Sequence, residues 1–149
     1  MDLKKVLEKI DFVNRYKKIC QEHNDFDNSM SENNKNLTSR VLGSFKYNYK
    51  YFSNGSFYQI KEQENNITFQ LHLVLKRGIV ETLLFIMVEE KTIEPQGRID
   101  FFPEDVGITY DRMKYGLPKY CSEVELREIL ADLFSIYEDL KTEVIKQNS

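Results

Sequence analysis

The sequence predicts an α+β fold: a five-stranded antiparallel meander sheet with an N-terminal and a long C-terminal helix packed on one face, in two layers. Three observations carry this reading. Residues 45–102 alternate apolar and polar positions between turn signals, the period of a half-buried strand. Residues 2–22 and 122–146 instead repeat apolar positions at helical spacing. The register that each turn sets collects the apolar residues of all the strands on one face.

Taken in order, Leu3, Val6, Leu7, Ile10, Val13 and Cys20 recur among Lys4, Lys5, Glu8, Lys9 and Lys17, which predicts one amphipathic helix over 2–22. Residues 23–40 are polar and nearly without apolar periodicity, so a surface loop is expected. The stretch FKYNYKYF then sends Phe45, Tyr47, Tyr49 and Tyr51 to one face and Lys46, Asn48 and Lys50 to the other. A single-strand-binding platform needs exposed aromatic faces beside its cations. Here the tyrosines go to the helix-covered face, so nucleic acid is not the expected partner, and Lys46, Lys50, Lys61 and Lys76 form a basic outer row.

Asn54-Gly55 marks a tight hairpin, because both residues tolerate the positive φ of its turn; it pairs Tyr51 with Tyr58, Tyr49 with Ile60 and Tyr47 with Glu62. A four-residue turn over Gln63-Glu64-Asn65-Asn66 would pair Glu62 with Ile67 and Ile60 with Phe69. Arg77-Gly78 pairs Leu75 with Val80 and Phe69 with Ile86, and a turn at Glu94-Pro95-Gln96-Gly97 would pair Thr92 with Ile99 and Glu90 with Phe101. Residues 103–121 read as a long loop rich in aromatics and charge. Ser122-Glu123-Val124-Glu125 matches a capping box ahead of the stripe Leu126, Ile129, Leu130, Leu133, Ile136, Tyr137, Leu140 and Val144, the C-terminal helix.

A chain of 149 residues fits a single domain, 1–149, that can bury a real core without disulfide or metal. Its formal net charge of −3 exerts no overall pull on nucleic acid or anionic lipid. Residues 103–149 are the acidic part, which points to a basic partner. The opening MDLKKVLEKIDF lacks the apolar core of a signal peptide or membrane span, so a cytoplasmic location is expected and the matches to the N-glycosylation pattern are read as chance.

The strand from Ile79 to Lys91 is apolar on both faces. Its outward residues include Leu83, Phe85 and Met87, a strip that something should cover. The 103–121 loop, another protein, a second copy of the chain, or the loop together with a small ligand are the candidates. Asp105, Tyr110, Asp111, Arg112 and Tyr115 of the loop join the strip as candidate partner-binding residues.

Little catalytic chemistry is legible. Glu89-Glu90-Lys91 at a strand end resembles the Glu-x-Lys element of PD-(D/E)xK nucleases, which implies a metal-dependent hydrolytic site around Glu89, Lys91 and Asp100. That family also places an acidic residue on the preceding strand, and Ile67 to Lys76 has none. Cys20-x-x-His23, with Cys121 and His72 elsewhere, lacks the paired short spacings of a zinc site. The Asp25-Phe-Asp27 stretch has Met30 where a calcium loop needs Gly and Asn36 where it needs Glu. No phosphate-binding glycine loop or nucleophile elbow is present. The expectation is therefore a non-enzymatic protein-binding module of the inhibitor, immunity or chaperone type, with no cofactor, no metal and no catalytic residues. A metal-dependent hydrolase or a small-ligand binder is the alternative.

Overall fold

In the computed structural model, which describes residues 1–30 and 34–149, the N-terminal amphipathic segment forms two helices, α1 (Lys4–Lys9) and α2 (Phe12–Glu22). The expected single helix breaks at Asp11, whose φ is 58°. That left-handed conformation costs a non-glycine residue about 1–2 kcal/mol. The bend lets Leu3, Val6 and Leu7 as well as Phe12, Tyr16, Ile19 and Cys20 reach the core, and burial of each large apolar side chain contributes on the order of 2 kcal/mol.

The polar stretch 23–40 is not loop throughout. Lys35–Gly43 is a helix (α3), started by Asn34, whose side chain accepts the Leu37 N–H at 3.0 Å. It buries Leu37, Thr38, Val41 and Leu42, and the Thr38 and Tyr58 hydroxyls share a 2.6 Å hydrogen bond that ties it to the sheet. Ser31, Glu32 and Asn33 of the expected loop lie outside the described residues.

The sheet runs β1 (Tyr49–Phe52), β2 (Phe57–Glu64), β3 (Ile67–Lys76) and β4 (Ile79–Val88), all antiparallel neighbours in chain order. Tyr51 faces Tyr58, Tyr49 faces Ile60 and Leu75 faces Val80, as the two glycine turns require. Between β2 and β3 the register differs by two residues: Glu64 pairs with Ile67 and Tyr58 with Leu73, because Asn65 takes a φ of 55° and closes a tighter turn. A shift of two leaves every side chain on its expected face. Only half of the FKYNYKYF stretch is strand. Phe45 and Tyr47 precede it and pack on Phe134 of the last helix, with ring centroids 4.8 and 4.5 Å away, while Lys46 reaches Glu138 and so leaves the outer row.

The fifth strand is the larger correction. Glu89 and Glu90 both adopt positive φ, 51° and 68°, and turn the chain back immediately, so that β5 (Lys91–Thr92) pairs with Met87 and Val88. After the cis Glu94-Pro95 bond, β6 (Gly97–Arg98) pairs with Leu83 and Leu84 on the same edge of β4. Ile99–Phe101 is a 3-10 turn, so neither Thr92–Ile99 nor Glu90–Phe101 forms. Farther along that edge the Val80 N–H donates to Pro118 O and the Tyr120 N–H to Gly78 O.

The 103–121 segment contains two short helices, α4 (Phe102–Asp105) and α5 (Arg112–Tyr115). The C-terminal helix α6 (Glu123–Gln147) starts as expected, with Ser122 accepting the Glu125 N–H at 3.1 Å; the Glu125 carboxylate accepts from the Cys121 amide rather than that of Ser122. Across the sheet, α6 is clasped by Tyr137 and Lys141, both 2.7 Å from Glu62, while Lys141 also reaches Glu138 at 2.9 Å. No helix of the described residues is long and apolar enough to cross a membrane.

Replacing Glu89-Glu90 by Asn-Gly supplies the residues that a turn with two positive φ angles favours. The double variant is expected to be more stable by about 1 kcal/mol in denaturant unfolding; an unchanged midpoint would show that the turn carries no strain.

Candidate functional site

The outward residues of the sheet form a lattice fixed by register. One row reads Lys50, Gln59, His72, Leu83 and Arg98 across β1, β2, β3, β4 and β6. Beside it lie Phe52 opposite Phe57 and Val74 opposite Glu81; on the other side, Lys61, Gln70 and Phe85; beyond these, Gln63, Thr68, Met87 and Thr92. The expected strip Leu83, Phe85 and Met87 is therefore present, and it continues into a ladder of rings that period-two reading of one strand did not pick out. Phe52 and Phe57 are 5.0 Å apart between centroids with planes 16° apart, Phe57 and His72 4.6 Å and 26°, and His72 and Phe85 5.3 Å and 56°.

Near-parallel rings at such short spacings overlap face to face, so Phe52, Phe57 and His72 stand against one another. Burial lowers the His72 pKa, which makes the imidazole neutral at pH 7 and a ring rather than a cation in this row. The strip and ladder residues are half-buried by one another. None of Phe52, Phe57, Leu83, Phe85 and Met87 belongs to the core or packs against it, whereas the inner residues Tyr58, Ile60, Phe69, Leu71, Leu73, Leu84 and Ile86 all do.

The 103–121 segment does not roof this face. Val106 and Ile108 line a cavity with Leu7 and Phe12, and Tyr110 lies buried beside Cys20 of α2. Among the loop candidates, the structure brings only Arg112 toward the sheet. Its guanidinium lies 3.8 Å from the centroid of the Phe101 ring, which Arg98 also approaches at 5.0 Å, so a cation–aromatic–cation stack closes the β6 end of the outer face. Asp111 caps α5 by accepting the Lys114 N–H, Asp105 is exposed beside Glu94 and Pro95, and Tyr115 packs on Tyr110 and Lys17; these three sit away from the strip. Below the stack is an open cleft of about 310 Å³ lined by Arg98, Asp100, Glu104, Tyr110, Arg112 and Leu117. Four of its charges are matched in pairs: Arg98 holds the buried Asp100 through two hydrogen bonds of 3.1 and 2.8 Å, and Arg112 holds Glu104 at 3.0 Å; Asp111, also in the lining, accepts the Lys114 N–H.

The nuclease-like residues are not brought together. Glu89 and Lys91 sit at the β4–β5 turn, Lys91 paired with Val88, while Asp100 is held by Arg98, so the nuclease-like constellation does not form. Among the described residues no group of three or more His, Cys, Asp and Glu is placed to hold a metal ion. The structure does bring His23, Glu125 and Cys121 together, with His23 Nδ1 2.8 Å from Glu125 and the Cys121 amide donating to the other carboxylate oxygen at 2.8 Å. The carboxylate stands between imidazole and thiol. Hydrogen bonding to Glu125 raises the Cys121 pKa, the opposite of nucleophile activation. Burial lifts Glu125, but hydrogen bonds from His23 and the Cys121 amide outweigh it and hold the group below the ordinary carboxylate value. Cys20 is a buried thiol raised to about 11 by desolvation. The Tyr110 hydroxyl beside it is buried without a well-formed hydrogen bond. No family model, curated protein or solved structure matches the chain.

Two outcomes follow. Arg98→Ala strands Asp100 in the interior and is expected to cost about 3 kcal/mol in chemical unfolding, and far less when Asp100→Asn is already present; equal costs in both backgrounds would dissolve the pair. Because the Glu125 pKa is depressed on folding, its contribution is complete above the unfolded value of about 4.3 and lost as pH falls through the lower folded value. Glu125→Gln should therefore lower stability at neutral pH and flatten the acid limb of the pH–stability curve.

Proposed function

We propose that the chain is a non-enzymatic protein-binding module whose contact surface is the outer face of the sheet. The observation that supports this most is the second face of a strand with apolar residues on both sides: Leu83, Phe85 and Met87 join a half-exposed ring ladder that lies outside the core. Contiguous apolar surface rimmed by polar groups is the usual character of a docking site. Gln59, Lys61, Gln63, Thr68 and Gln70 supply such a rim, and the Arg98–Phe101–Arg112 stack supplies anchors of the kind that concentrate binding energy.

Action would be steric, as in an inhibitor, an immunity protein or a chaperone that masks another protein's surface. A base-stacking role is disfavoured because Phe52, Phe57 and His72 already stack on one another, which occupies ring faces that bases would need.

The test compares capture from a lysate of the native host by wild type, Phe85→Asp and Met113→Asp. Phe85 points out of the sheet and Met113 is almost fully exposed elsewhere, so both variants should fold. The expected result is a partner held by wild type and Met113→Asp and lost from folded Phe85→Asp. Equal capture by all three would sink the proposal.

A further inference from the structure

Resting on that docking surface, we infer that its occupant is an acidic protein segment: carboxylates around an apolar centre that meets the ring ladder. The acidic C-terminal third points, from sequence, to a basic partner, but the fold spends much of that charge internally. Glu104 pairs with Arg112, Glu123 with Arg40, Glu125 with His23, Glu138 with Lys141, Asp139 with Arg15 and Glu143 with Lys9. Lys9, Arg15, Arg40, Arg112 and Lys141 of the helices are engaged by these contacts.

On the outer sheet face the balance is reversed. Lys50, Lys61 and Lys76 point outward from β1, β2 and β3, and none of the three makes an ion pair among the described residues. The outward carboxylate of the β2–β4 lattice, Glu81, is engaged by Arg98 at 3.7 Å. Lys50 lies 5.1 Å from the Phe52 ring centroid, so one cation borders the ladder directly. The face thus offers half-buried rings framed by unmatched positive charge, on a chain whose formal total is −3.

That frame selects among occupants. Two copies stacked face to face would bring like-charged lysine rows together, an arrangement that costs free energy and is a known guard against sheet association. A nucleic acid would find three lysines, rings that already stack on one another and a net negative protein behind them. An acidic segment with an aromatic or aliphatic centre matches both features. The negative charge of the helical layer lies across the sheet, where screening over about 8 Å weakens its repulsion.

The experiment pans a random-peptide display library against wild type. Selected peptides are then measured by titration calorimetry on wild type, on Phe85→Asp, and on the triple variant Lys50→Glu, Lys61→Glu and Lys76→Glu, with circular dichroism as the fold control. The expected peptides are rich in Asp and Glu around apolar residues, weaken about tenfold or more on the triple variant, and are lost on Phe85→Asp. Peptides that need Phe85 but carry no acidic excess, or ignore the lysines, would overturn the inference while leaving the docking face in place. No Phe85-dependent peptide would overturn both. Tight binding of single-stranded oligo(dT), or a wild-type dimer that Phe85→Asp dissolves, would reassign the face and overturn the acidic occupant.

Discussion

The architecture depends on the strict alternation of β3. Ile67, Phe69, Leu71, Leu73 and Leu75 are buried, and Thr68, Gln70, His72, Val74 and Lys76 between them are not. A strand with that pattern in the middle of a sheet commits its neighbours to the same inside and outside, because adjacent strands share a pleat. Helices α1, α2, α3 and α6 are drawn to the inner face, where their own apolar stripes find cover. Those four helices leave the other side to the short α5, which reaches only its β6 end. The outer face must satisfy itself by side chains leaning on one another across strands, and the ring ladder is the form this takes.

Much of this was legible because parity is robust. Asn54-Gly55 and Arg77-Gly78 set two hairpins correctly, and the β2–β3 misregister of two residues was harmless to face assignment. The outward placement of Leu83, Phe85 and Met87 is legible for the same reason. Two failures share a different cause, non-glycine residues in left-handed conformations. Asp11 broke a helix, and Glu89 with Glu90 closed a turn where the sequence reads as strand. Helix α3 was hidden because Leu37, Val41 and Leu42 are sparse among polar residues and its stability is tertiary, coming from burial and the Tyr58 hydrogen bond. The ladder of Phe52, Phe57 and His72 needed contacts between strands, which a scan along one strand does not weigh.

The loop candidates show how charge in a sequence differs from charge on a surface. Asp111 closes a helix turn, and Arg112 spends part of its donor capacity on Glu104. His23, Glu125 and Cys121 similarly combine residues that could do chemistry into a joint between α2 and α6, with one carboxylate serving an imidazole and an amide at the helix start. A residue type carries functional meaning only after its structural obligations are subtracted. Lys50, Lys61 and Lys76 stand out because they share the outer sheet face with the rings and make no ion pair among the described residues.

The segregation of aromatic types has an optical consequence. The chain has no tryptophan and nine tyrosines. Tyr16, Tyr47, Tyr58, Tyr110, Tyr120 and Tyr137 lie in the core, with Tyr49, Tyr51 and Tyr115 packed against it, while the outer face carries only phenylalanine and histidine rings. Ultraviolet emission from this molecule is thus a gauge of its interior: it follows loosening of the packed side and stays nearly silent to contact on the open one. A tryptophan placed at Phe57 would give that silent side its own signal.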